Sequence, residues 1–220
     1  MSAMMNPFTR IQIRNHLIER VPGLSRVLLW RRGWMALRDW SRDGWASPPP
    51  HFVRLAMIES EARAIGAECF IETGTFRGDT TWHFRNRFRR IASIEIQHEL
   101  AALARRRFKA YPQVRIIEGD SSTELATACS AMDGACLVFL DGHYSSGFTG
   151  CGAKECPVIE ELQLLFTHLK HAFRVVIDDA RLFGVDPSYP KPDVIEEFLA
   201  GQPGNWRMRS ENDAYVIWRA

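Results

Sequence analysis

From residue 69 onward the chain sets short apolar runs against longer segments of helical periodicity. The runs Cys69–Thr73, Ile91–Ile96, Val114–Glu118, Cys136–Leu140 and Arg174–Ile177 are rich in Ile, Val, Leu and Phe and too short for helices. Between them Leu100, Leu103, Ala104 and Phe108 recur on one helical face, as do Val158, Ile159, Leu162, Leu165, Phe166 and Leu169. Strands alternating with helices predict a parallel sheet covered on both faces, a doubly wound α/β fold. The chain closes with Trp206–Arg209, a tight Glu211-Asn212-Asp213 turn and Ala214–Trp218. Strands joined so briefly must pair antiparallel, because a parallel pair needs a crossover of about a dozen residues or more.

Upstream the pattern changes. Phe8 to Trp45 reads as two short basic helices broken at Pro22-Gly23. In the second, Val27, Trp30, Trp34 and Leu37 fall at helical spacing, with Arg26, Arg31, Arg32 and Arg38 around the rest of the wheel. Ser47-Pro48-Pro49-Pro50 is a stiff break, which divides a helical extension (1–50) from the main domain (51–220). A helix from about His51 to Ile65 leads into the first strand.

Charge sharpens that division. The net charge of +2 splits into eight Arg against three acids (+5) in residues 1–50 and 20 Lys+Arg against 23 acids (−3) beyond. Neither value demands a nucleic-acid partner. Two Arg clusters, Arg85/Arg87/Arg89/Arg90 and Arg105/Arg106/Arg107, read as solvated C-terminal helix ends, where cations are favoured by the dipole. The five Cys form no disulfide framework: Cys69 and Cys136 fall in buried strands, Cys129 stands alone, and no second Cys/His pair completes a zinc site with Cys151 and Cys156. With no secretory pattern and no apolar run near the ~20 residues of a membrane span, a cytoplasmic protein is the simplest reading.

The chemistry-bearing residues sit where strands end. The first strand runs into Glu72-Thr73-Gly74-Thr75-Phe76-Arg77-Gly78, Glu95 closes the second, Gly119-Asp120 the third, Asp141 the fourth and Asp178-Asp179 the fifth. Ligands of open α/β sheets bind beyond the carboxyl ends of the strands, so acids recurring there point to one shared site. Glu95, 17 residues after Gly78, is placed like the acid that takes a ribose diol in nucleoside-binding folds. The dinucleotide pattern G-x-G-x-x-G is absent.

These motifs, from about residue 52 to the end, resemble the ordered motifs of class I S-adenosylmethionine-dependent methyltransferases. The resemblance implies a seven-stranded sheet of order 3-2-1-4-5-7-6 with strand seven antiparallel. It puts Glu72, Thr73, Gly74 and Gly78 at the methionine end of the cofactor, with Thr75 and Phe76 in the same loop. Glu95 takes the ribose, Ile96, Asp120 and Ser121 border the adenine, and Asp141 lies at the cofactor as well.

Phe76, Leu140-Asp141-Gly142-His143 and Val176-Ile177-Asp178-Asp179 further resemble the cation-dependent O-methyltransferases of catechol and sugar-tailoring type. That resemblance implies Mg²⁺ or Mn²⁺ held by Asp141, Asp178 and Asp179, and a small-molecule hydroxyl as acceptor. Three carboxylates are hard oxygen ligands of the kind these ions accept. The alternative is that Asp178 caps the following turn and Asp179 pairs with Arg181. His143 stands where relatives carry an Asp base or, slightly further on, a Lys; as base or metal-site residue it titrates near neutral pH.

The Gly-rich loop Tyr144 to Lys154 is where acceptor specificity is expected. The extension reads as a lid over the acceptor site, a homodimer interface or a basic amphipathic helix resting on a membrane surface, the last disfavoured because the helix is short and its Arg residues are not confined to one face. Two other functions fit the same residues: metal-independent transfer by Asp141 and His143, and a non-catalytic cofactor-binding scaffold. The Asn-Pro-Pro-aromatic motif of base N-methylation is absent after strand four.

Overall fold

The computed structural model describes residues 33, 35–45, 47–142 and 156–220. Its strands are β1 (Cys69–Thr73), β2 (Arg90–Glu95), β3 (Val114–Glu118), β4 (Cys136–Leu140), β5 (Phe173–Ile177), β6 (Trp206–Glu211) and β7 (Ala214–Arg219). They form one sheet in the order β3-β2-β1-β4-β5-β7-β6. β1 to β5 pair in parallel, and β7 runs antiparallel to both β5 and β6. The strand order reverses between β1 and β4, which opens a crevice at their carboxyl ends.

The helices are α1 (His51–Ala64), α2 (Asp79–Phe84), α3 (His98–Arg107), α4 (Ser121–Ser130), α5 (Val158–His168) and α6 (Pro192–Ala200). Alternation along the strands sorts two cores. Cys69, Ile71, Cys136, Val138, Leu140, Val175 and Ile177 face α4, α5 and α6 through Leu125, Leu162, Leu165 and Ile195. Phe70, Leu137, Phe139, Val176 and Val216 face Met57 and Ile58 of α1, with Phe84 and Phe88. Each such side chain contributes roughly 1.5–3 kcal/mol on burial.

α1 also buries charge. Glu61 pairs with Arg174 of β5 (2.5 Å) and Arg209 of β6 (2.6 Å), which ties the helix to that side of the sheet. Two other expectations need correction. α2 stops at Phe84 with Arg85 as its C-cap, so Arg87, Arg89 and Arg90 lie beyond the helix end; Arg87 pairs with Glu59, and Arg89 and Arg90 with Asp133. The closing hairpin turns on two residues rather than three, Asn212 and Asp213 (φ 49° and 62°), because such a turn matches the twist of paired strands.

Residues 35–42 are helical, and the Trp40 ring meets Trp45 edge-on at 4.8 Å. The rest of the expected extension, including Val27, Trp30 and Trp34, lies outside the described residues, as do His143, Cys151 and the loop Tyr144 to Lys154. The four described cysteines are free and buried. Among the described residues no helix is long and apolar enough to cross a membrane.

Candidate functional site

The β1 loop crosses the end of β4 at backbone contact. Gly74 has φ +80°, and a Cβ there would lie 2.4 Å from the Asp141 carbonyl oxygen, so no other residue fits without moving the chain. Beside it Thr73, fully buried, accepts at Oγ1 from the N–H groups of Asp141 (3.2 Å) and Gly142 (3.0 Å). These bonds stitch the ends of β1 and β4 together. Gly78 (φ +71°) starts α2, where a Cβ would sit 3.0 Å from the Phe108 ring.

Between the two glycines Phe76 holds a positive φ of 47°, an unfavourable conformation for an aromatic residue. Its N–H donates to Glu95 Oε2 at 2.7 Å, which supports that conformation. Behind the loop Arg107 donates to the Arg77 carbonyl (2.5 Å) and pairs with Asp79 (3.2 Å), with its side chain only 3% exposed. Arg107 is therefore a brace on the loop and not a solvated helix end. The sequence held a signal for this: it follows Ala104 by three positions, on the apolar face of α3.

The acids of this half are hydrogen-bonded. Glu95 also accepts from the Gln97 N–H (2.9 Å); burial raises its pKa, and these backbone donors restrain the rise. Glu72 accepts from the hydroxyls of Thr81 (2.5 Å) and Ser93 (2.7 Å), and Ser93 meets Thr75 at 2.6 Å. Burial pushes the Glu72 carboxyl up to about 7 despite those hydroxyls. Asp120 caps α4, accepting from the Ser122 N–H (2.9 Å) and hydroxyl (2.7 Å), and Ser121 is buried behind it. Ile96 follows β2, half-buried.

Across the crevice the acids crowd one another. Asp141 after β4 and Asp178 and Asp179 after β5 bring one carboxylate oxygen each within 4.8 Å of the others. Asp178, 1% exposed, pairs with Arg54 of α1 at 2.8 Å through Oδ2, while its Oδ1 is buried without a hydrogen-bond partner. Asp179 has a positive φ of 62° and pairs with Arg181 (2.9 Å), whose guanidinium also meets Asp213 at the hairpin tip. The Asp179–Arg181 pair thus forms, whereas Asp178 spends its side chain on Arg54 rather than on a turn cap. Burial and the neighbouring carboxylates push Asp141 well up; burial takes Asp178 to about 6, against the pull of Arg54.

Four acids (Asp141, Asp178, Asp179, Asp213) against two guanidiniums (Arg54, Arg181) leave this corner at −2 when all are ionised. A divalent cation would neutralise it, and three convergent oxygens with one orphan acceptor fit Mg²⁺ or Mn²⁺. Arg54 was invisible in the sequence, because 124 positions separate it from Asp178.

The sheet order and the antiparallel β7 match a known architecture. The fold is that of the class I methyltransferases. No family model matches the chain, and no curated protein matches it. Solved structures with this methyltransferase fold include the O-methyltransferase TomG of Streptomyces achromogenes, in complex with S-adenosylmethionine: 20% identity, 74% of this chain, 78% of that chain, TM-score 0.54. An O-methyltransferase from Bacillus cereus, in complex with S-adenosylhomocysteine, has 13% identity, 83% and 87% coverage and TM-score 0.55. A protein from Clostridium thermocellum named as an rRNA methylase has 14% identity, 74% and 94% coverage and TM-score 0.53. At these identities the likeness establishes the fold alone.

Proposed function

We propose that the protein transfers a methyl group from S-adenosylmethionine to an oxygen of a small molecule, assisted by a divalent metal ion. The observation that carries this reading is the convergence of Asp141, Asp178 and Asp179 beside the β1 loop. In this reading Gly74 and Gly78 let the methionine end approach the backbone, the Glu72, Thr73, Thr75 and Phe76 stretch shapes that approach, and Glu95 takes the ribose. Ile96, Asp120 and Ser121 border the adenine. Asp141, Asp178 and Asp179 hold Mg²⁺ or Mn²⁺, which when bound lowers the pKa of a coordinated hydroxyl. His143, two positions beyond Asp141, is the base that removes the acceptor's proton, an effect of roughly 10²–10⁴ in rate. The chain's main contribution is alignment, which can recover about 7–11 kcal/mol of barrier.

The Arg54–Asp178 pair favours a second reading, metal-independent transfer, because a guanidinium already neutralises one of the three acids. A nucleic-acid acceptor, suggested by the rRNA methylase among the fold's neighbours, is less supported: Arg87, Arg89, Arg90 and Arg107 are paired with acids of the chain itself.

Calorimetric titration with S-adenosylhomocysteine tests the cofactor. Wild type should bind and Glu95→Ala should bind about tenfold or more weakly, since a lost hydrogen bond to a charged group costs ~1.5–3 kcal/mol. Absence of binding by the folded wild type would remove the reading.

A further inference from the structure

Glu161, in the first turn of α5, is fully buried, and neither carboxylate oxygen has a hydrogen-bond partner. Native proteins rarely leave such a group unsatisfied, and where they do the site calls for an explanation. It shares its face of α5 with Val158, Leu162 and Leu165, so the helix carries an acid in the middle of its core stripe. The hydroxyls of Ser121 and Thr73 face the carboxylate and favour its charged form, but neither meets it with hydrogen-bond geometry.

Thr73 supplies the missing half of the account. A threonine hydroxyl has two lone pairs and one proton. Its oxygen already accepts from the N–H groups of Asp141 and Gly142, which leaves the proton to find an acceptor elsewhere. Gly142 is packed into the same spot: a Cβ there would lie 2.9 Å from Thr73 Oγ1 and 3.5 Å from Ser121 Oγ. Thr73, Gly142, Ser121 and Glu161 therefore meet at one junction, beneath the loop that passes from β1 over β4. A rotation about the Glu161 side-chain torsions is enough to turn facing groups into bonded ones.

We propose that Glu161 is a positioning residue: with cofactor bound, its carboxylate accepts hydrogen bonds from the hydroxyls of Thr73 and Ser121 and fixes the junction that carries Gly74 and Asp141. The proposal rests on the cofactor reading above and adds a residue that touches neither cofactor nor acceptor. It also makes Glu161 a cost to the unliganded fold, because a buried carboxylate without partners is replaced by an apolar isostere at little or no loss of stability.

The test is calorimetric titration of the full chain with S-adenosylhomocysteine, paired with thermal unfolding of the unliganded protein, for wild type, E161Q and E161M. E161M should bind about tenfold or more weakly while unfolding at the wild-type temperature or above it. E161Q, which keeps a carbonyl acceptor at the same reach, should bind within about threefold of wild type. Wild-type affinity in E161M overturns the proposal, as does a loss of affinity matched by a loss of stability in both variants. Should E161M fail to fold, E161L takes its place: a weakening of about tenfold is expected, and wild-type affinity overturns the proposal. No binding by wild type removes the cofactor reading and the proposal with it, whereas equal binding by wild type and E161M removes the proposal alone.

Discussion

The two halves of the crevice treat their acids in opposite ways. On the β1/β2 side Glu95 is held by two backbone N–H groups and Glu72 by two hydroxyls. On the β4/β5 side three carboxylates face one another, one oxygen of Asp178 is orphaned, and the positive charge available is one short for every two acids. The first half has its acids hydrogen-bonded within the fold. Fully ionised, the second half carries two negative charges in excess, and burial together with that crowding raises Asp141 and Asp178 toward their protonated forms; a divalent cation would favour the ionised forms. Gly74 and Thr73 join the halves, so the loop of one is laid directly on the end of the other.

The largest expected effect tests whether the first half is as settled as its hydrogen bonds suggest. The Glu72 carboxyl is raised from its ordinary 4.5 to about 7 by burial. A raised carboxyl binds its proton more tightly folded than unfolded, so its stabilising contribution is full below about 4.5 and is lost as pH rises through about 7. Glu72→Gln removes that dependence. Denaturant unfolding at a series of pH values should find the variant more stable than wild type by about 3 kcal/mol above pH 7, with the gap closing toward pH 4.5. A variant that is less stable at every pH would mean that the Thr81 and Ser93 hydroxyls outweigh the burial.

A smaller effect probes the second half. If Arg54 competes with a cation for Asp178, then Arg54→Gln should tighten Mn²⁺ binding by about tenfold, read by equilibrium dialysis, because removing one half-buried positive charge strengthens a nearby divalent site. If Arg54 instead holds Asp178 in place, affinity falls, and the crowded corner depends on its clamp.

How much of this was legible in the sequence follows from what each contact depends on. β4 was readable because a strand buried on both faces is a continuous apolar run, and β1 and β5 because each holds a three-residue apolar run, Cys69–Ile71 and Val175–Ile177. The acids at their ends were readable because strand ends are fixed by those runs. β2 begins one residue earlier than its apolar run, at exposed Arg90, because the backbone there pairs in register with Cys69 whatever its side chain. Arg54 was not readable, since nothing local marks a charge that will meet Asp178 across the fold. Glu161 was readable in principle: its position between Val158 and Leu162 on one helical face is visible in the sequence, but only burial without a partner gives it meaning.

The central claim is that the crowded half is a divalent-cation site beside the β1 loop. Electron paramagnetic resonance of Mn²⁺ titrated into the full chain with S-adenosylhomocysteine present reads it without any knowledge of the acceptor. The account expects one bound Mn²⁺ per chain, displaced by Mg²⁺ and lost when Asp141 and Asp178 are both changed to Asn. Mn²⁺ that stays free in the presence of wild type, or that binds the double variant equally well, would contradict it.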